Sequence, residues 1–225
     1  MKTKEISFPV HAAAGDVSAL LLKPRNACCL YVFAHGAGAD MRHSFMEDAA
    51  QALASNGIAT LRYQFPYTER GSKRIDPKPQ LLATVRAAVE CARELGKGLP
   101  LIAGGKSMGG RMTSLAASEN PLPGVRGIVF FGFPLHPAGE RSTARAEHLL
   151  NVTVPMLFLQ GTRDALADLT LLKPICKKLN TRATLHIVND ADHSFHVPKR
   201  SGTNDKQVLT DLAVQVAAWS ARVIR

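Results

Sequence analysis

The pentapeptide Gly105-Lys106-Ser107-Met108-Gly109 stands directly after the apolar run Leu99 to Ala103 and directly before a helix-like stretch marked by Met108, Met112, Leu115 and Ala116. A serine pushed out on a tight strand-to-helix turn sits where the backbone is strained and crowded, and its neighbours must be small. Gly105 and Gly109 supply that room. The helix that follows points its free N–H groups and positive end at the serine, which is the stabilisation an oxyanion needs in acyl transfer. The spacing predicts a strand, a sharp turn carrying Ser107 as candidate nucleophile, and a helix.

The rest of the chain alternates in the same way. Ile6 to Val10 and Val17 to Leu22 read as short strands joined by a turn around Gly15, and Cys29 to Ala34 as a buried third. Phe45, Ala49, Ala52 and Leu53 make a helical stripe that stops at Gly57, and Ile58 to Tyr63 is the next strand. Beyond the loop Pro66 to Pro79, a helix carrying Leu81, Val85, Ala88, Ala92 and Leu95 closes at Gly96. Val125 to Phe131, Pro155 to Gln160 and Ala183 to Val188 are further strands, and Leu209, Leu212, Val216, Trp219 and Val223 mark a last helix. Such alternation predicts an α/β fold, a mostly parallel twisted sheet with helices on both faces, in one domain over residues 1–225. Phe133 to Asn151 lies where a lid is expected but holds Pro134, Pro137 and Gly139, so only a minimal lid is predicted. With Tyr63, Phe65 and Tyr67 it is expected to wall a shallow pocket, and His136, Arg141 and Arg145 near it read as solvated charge, with contact to an anionic group as the alternative.

Composition excludes several classes. With 225 residues and 46% hydrophobic content, the chain supports one core burying roughly 70% of the unfolded surface. Its longest apolar run, Ala27 to Ala34, falls short of the roughly 18 residues that span a bilayer, and Met1 to Glu5 does not open a signal peptide. A cytoplasmic protein with no membrane partner is expected. The four cysteines show no metal or redox spacing and read as small hydrophobes. The net charge of +10 gathers at Arg70 to Lys78, Lys173 to Arg182 and Lys199 to Lys206 without interleaved aromatics, which argues against specific nucleic-acid binding. Nothing in the sequence speaks to oligomeric state.

In a parallel sheet functional groups collect at the carboxyl ends of the strands. After Cys29 to Ala34 comes His35-Gly36-Ala37-Gly38, a turn whose Ala37 N–H is the expected oxyanion donor, paired with the N–H of Met108. After Pro155 to Gln160 comes Gly161-Thr162-Arg163-Asp164, which places an acid to orient a histidine; Asp164 is favoured over Asp168 because it lies nearer the strand end. After Ala183 to Val188 comes Asp192-His193-Ser194-Phe195, with His193 as the candidate base. A phosphate-binding loop needs a glycine where Pro100 stands. His193 and His196 lack further ligands for a metal. No cofactor or metal is expected.

These elements, with Phe133-Pro134-Leu135-His136-Pro137 and Gly109-Gly110-Arg111, resemble a group of α/β-hydrolases similar to dienelactone hydrolases, which includes the hydrolase-like region of a regulatory subunit of the NSL chromatin complex. The likeness spans nearly the whole chain and implies the same Ser107, Asp164 and His193 assignments. Dienelactone hydrolases proper carry a cysteine where Ser107 stands, and dehalogenases and epoxide hydrolases an aspartate. The expected activity is therefore hydrolysis of a small or medium carboxylic ester or thioester through an acyl-enzyme. The alternative is a catalytically silent member of the fold used for binding.

Overall fold

Strand β3 (Cys29–Ala34) is buried along its whole length, and its successive side chains enter two different cores. Leu30, Val32 and Ala34 pack on one side of the sheet with Leu82, Val85, Met112 and Leu172, while Cys29, Tyr31 and Phe33 pack on the other with Met46, Leu53, Leu212 and Trp219. A strand buried on both faces reads as a continuous apolar run, because the period of two only decides which core each residue joins.

The computed structural model describes residues 2–11 and 14–224. Its eight strands are β1 (Lys4–His11), β2 (Gly15–Leu22), β3, β4 (Ile58–Tyr63), β5 (Leu101–Lys106), β6 (Val125–Phe131), β7 (Met156–Gly161) and β8 (Ala183–Val188). They form one sheet in the order β1-β2-β4-β3-β5-β6-β7-β8. β1, β2 and β4 pair antiparallel, and every pair from β4 through β8 is parallel.

Helices α1 (Ser44–Ser55) and α6 (Asp205–Val223) cover one face. The short α2 (Pro66–Glu69) leads into α3 (Lys78–Gly96), which covers the other face with α4 (Met108–Glu119) and α5 (Leu169–Leu179). The segment around Cys176 reads as helix-like, and α5 forms there with Leu172, Cys176 and Leu179 buried and Pro174 inside it, where proline removes one helix hydrogen bond. Asp168 starts this helix, its carboxylate accepting from the Thr170 N–H at 2.7 Å. The predicted lid is a chain segment ending in the 3₁₀ turn Ala144–Asn151, which packs against α4 through the buried Ala146 and Leu149. Among the described residues no helix is long and apolar enough to cross a membrane. All four cysteines are free.

Candidate active site

The elbow is built by exclusion of side chains. Ser107 has φ +49°, a region costly for any residue but glycine, and it is held there by its N–H bond to the Phe131 carbonyl at 3.1 Å. A Cβ on Gly105 would overlap the Ala34 carbonyl oxygen, and one on Gly109 would stand 2.5 Å from the carbonyl oxygens of both Ala34 and His35. The two glycines let β5 and α4 close onto the end of β3, which brings Gly36 against Ser107.

The loop after β8 is pinned by Asp192, which accepts from the Ser194 and His196 N–H groups at 2.7 and 3.0 Å, and by Phe195, which is buried in the α1–α6 core. His193 is thereby carried over the sheet end. Its Nε2 lies 2.8 Å from Ser107 Oγ and its Nδ1 lies 2.7 Å from Asp164 Oδ2. Gly132, directly after β6, has φ +73°, which suits glycine, and a Cβ there would crowd the imidazole at 3.3 Å.

Asp164 is buried and fully engaged: Oδ1 accepts from the Leu166 N–H at 2.8 Å, and Oδ2 accepts from Gln160 Nε2 as well as from His193. With Asp164 as an acceptor, His193 carries its proton on Nδ1 and presents Nε2 as an acceptor to Ser107. Asp168 takes no part. Its carboxylate caps α5 and pairs with Arg141 at 2.8 Å.

Ala37 lines the cleft beside Ser107, and Met108 is the first residue of α4. Among the described residues neither N–H meets an acceptor. His35 holds the Ala37 turn in shape: its Nδ1–H donates to the Gly36 carbonyl at 2.8 Å, and its Nε2 accepts from the Phe65 N–H at 3.3 Å.

A family model described as the alpha/beta hydrolase domain matches residues 27–221. The chain belongs to the alpha/beta hydrolase family. Among solved structures, this alpha/beta hydrolase superposes on the dienelactone hydrolase of Anabaena variabilis with TM-score 0.75 at 22% identity, each chain covered completely. It superposes on a lidless a/b serine hydrolase from Xanthomonas campestris with TM-score 0.73 at 19% identity over 100% of this chain and 96% of that one. Est1E from Butyrivibrio proteoclasticus gives 0.70 at 15% identity, with 98% of both chains covered. The fold agrees with the dienelactone-hydrolase-like resemblance of the motifs.

The hydrolase keeps its cleft elsewhere than the sequence pattern places it. Tyr63, Phe65 and Tyr67 are buried, with the Phe65 ring edge-on to His35 at 5.0 Å, and neither they nor residues 133–151 line the opening. An aromatic run beside a strand end fills the core as readily as a pocket, and here the core takes it. The cleft, of about 1070 Å³, runs from Ser107 between α1 and α6, over Phe45, Met46, Ala52, Phe195 and Leu209.

Two residues of the site are absent from the motif reading. Gln160 is a buried polar side chain at the end of an apolar strand, and it bridges Asp164 to the Phe133 N–H at 3.0 Å. Lys106 Nζ donates to the His193 carbonyl at 2.6 Å and lies 5.7 Å from the centroids of both Phe45 and Phe195. Desolvation pushes its pKa down to about 8, against the pull of Asp164 and Asp192. Gln160 is legible as a polar residue between Leu159 and Gly161, whereas Lys106, between Gly105 and Ser107, carries no such signal.

Burial pushes the pKa of His35 down to about 4, and burial with the nearby Arg111 charge does the same to His148. The unfolded chain takes up these protons near pH 6.5 and the folded chain only near pH 4, so folding stability is fully present above pH 6.5 and falls as the pH drops toward 4. Thermal unfolding followed from pH 7 to pH 4.5 will show Tm falling less steeply in His148→Gln than in the wild type. Equal slopes would contradict this.

Proposed function

We propose that the chain is a serine hydrolase of carboxylic esters or thioesters. The observation that carries the reading is the unbroken path from Ser107 Oγ through His193 to Asp164, assembled from three separate strand ends, with Ser107 and His193 lining the cleft and Asp164 buried behind them. His193 Nε2 takes the Ser107 proton as Oγ attacks the substrate carbonyl carbon. The N–H groups of Ala37 and Met108 hold the oxyanion, and buried Asp164 stabilises the imidazolium. His193 then protonates the leaving alcohol or thiol. Water, deprotonated by His193, releases the acid and restores Ser107. Lys106 and Gln160 act as positioning residues, one on the His193 loop and the other on Asp164.

The cleft selects the substrate. Phe45, Met46, Ala52, Phe195 and Leu209 give an acyl or alkyl chain of small to medium length an apolar floor there, with Asp48, Gln51, Lys206 and Thr210 along the same groove. Hydrolysis of p-nitrophenyl acetate and octanoate tests both points. The wild type turns over both esters, and Ala52→Trp lowers the octanoate-to-acetate ratio of kcat/KM about tenfold by filling the floor. A folded wild type inert toward every short ester would contradict the hydrolase reading, and an unchanged ratio would contradict the placing of the chain.

A further inference from the structure

The helix after the elbow carries a second polar constellation that the proposed chemistry does not use. Ser114 Oγ and His148 Nε2 stand 2.7 Å apart and tie the middle of α4 to the 3₁₀ turn Ala144–Asn151. Three residues before each partner is an arginine, Arg111 on α4 and Arg145 on the turn. Three residues is about one turn in either kind of helix, so the link sets both guanidinium groups along one seam. Arg111 Nε is buried there without a hydrogen-bond partner. Burial and the neighbouring Arg145 charge hold the Arg111 pKa below its usual range. Burial, Arg111 and Lys78 keep His148 uncharged at neutral pH.

Among the described residues no carboxylate forms an ion pair with Arg111, Arg145 or Lys78. Arg42, Arg62, Arg70, Arg86, Arg93 and Arg141 each pair with a carboxylate, and of the arginines that pair with none among the described residues, Arg111 alone has a buried guanidinium nitrogen without a hydrogen-bond partner. Adjacent cations with an idle buried donor are relieved by an incoming oxyanion, which the planar guanidinium fork binds in charge-assisted pairs. The seam lies at the functional end of the sheet. The Arg111 N–H donates to the Ser107 carbonyl at 3.1 Å, one turn from the candidate nucleophile, and Lys78 opens α3 just after the loop that follows β4.

We propose that Arg111 and Arg145, with Lys78 at the rim, form a binding site for an oxyanion group, a carboxylate or a phosphate. The group is either an acidic arm of the ester substrate that leaves Ser107 on the α4 side, away from the α1–α6 cleft, or a free anion. The site itself does not depend on the chemistry of Ser107.

Thermal unfolding of the full chain in inorganic phosphate, against sodium chloride at equal ionic strength, tests the proposal. Phosphate raises the wild-type Tm with saturation. Arg111→Gln and Arg145→Gln each weaken that binding about tenfold or more, and Arg141→Gln, an equal loss of charge at an arginine already paired with Asp168, leaves it in place. Arg145 is partly exposed, so its variant decides the matter if Arg111→Gln fails to fold.

A second arm compares p-nitrophenyl hydrogen glutarate with p-nitrophenyl pentanoate. A wild-type preference for the acidic ester that falls in Arg145→Gln assigns the anion to the substrate; phosphate binding without that preference assigns it to a free anion. Equal Tm in phosphate and chloride, or binding retained in both Arg111→Gln and Arg145→Gln, overturns the site. Because the phosphate titration needs no turnover, failure of the hydrolase reading and failure of the anion site are separable.

Discussion

Replacing Ser107 by alanine lowers kcat toward a p-nitrophenyl ester by about a million-fold, the scale on which triad serines act. The hydroxyl makes one hydrogen bond, to His193 at 2.8 Å, and the strained φ of +49° is as tolerable to alanine as to serine. The variant therefore folds, and circular dichroism beside the kinetics separates lost chemistry from lost structure. What survives is the oxyanion pair and the cleft, which cannot supply an attacking oxygen. A variant retaining a tenth of wild-type kcat would exclude Ser107 as the nucleophile.

Asp164→Asn lowers kcat about ten-thousand-fold, far beyond the Tm loss expected from setting the asparagine amide against the buried Gln160 Nε2 donor. The loss follows from proton placement. Asparagine offers an N–H to His193 Nδ1, which moves the ring proton to Nε2 and leaves no acceptor for the Ser107 hydroxyl 2.8 Å away. Asp168→Asn serves as the comparison: its carboxylate faces Arg141 and the α5 N-terminus, and its replacement leaves kcat within a few-fold of wild type. Rate constants for the two variants at one pH decide between the carboxylates, and the reverse order would assign the acid to Asp168.

The candidate site was legible in the sequence because strand ends are marked twice, by apolar runs and by the glycines that follow them. Gly36, Gly105, Gly109 and Gly161 stand where backbones meet, and three of them have no room for a Cβ. Ser107 lies between Gly105 and Gly109, and Asp164 three residues after Gly161, so both are carried at the sheet end. The cleft was not legible in this way. Its walls come from α1 and α6, and a helical stripe such as Phe45, Ala49 and Ala52 does not say which residues meet the core and which line an opening. Tyr63, Phe65 and Tyr67 went to the core for the same reason. Helix α5 was legible only as a helix-like stretch around Cys176, and its start is marked by Asp168 capping Thr170. Lys106, Arg111 and Arg145 show the remaining limit: a charged residue in the sequence does not reveal whether a carboxylate waits beside it.

The central claim is that Ser107 is an activated nucleophile, and its most direct measure is covalent labelling by a fluorophosphonate followed by peptide mass analysis. Stoichiometric labelling at Ser107 in the wild type, absent in Ser107→Ala and strongly slowed in His193→Ala, is the predicted result. A folded wild-type protein that stays unlabelled, or a Ser107→Ala variant that labels as fast as wild type, would contradict the account.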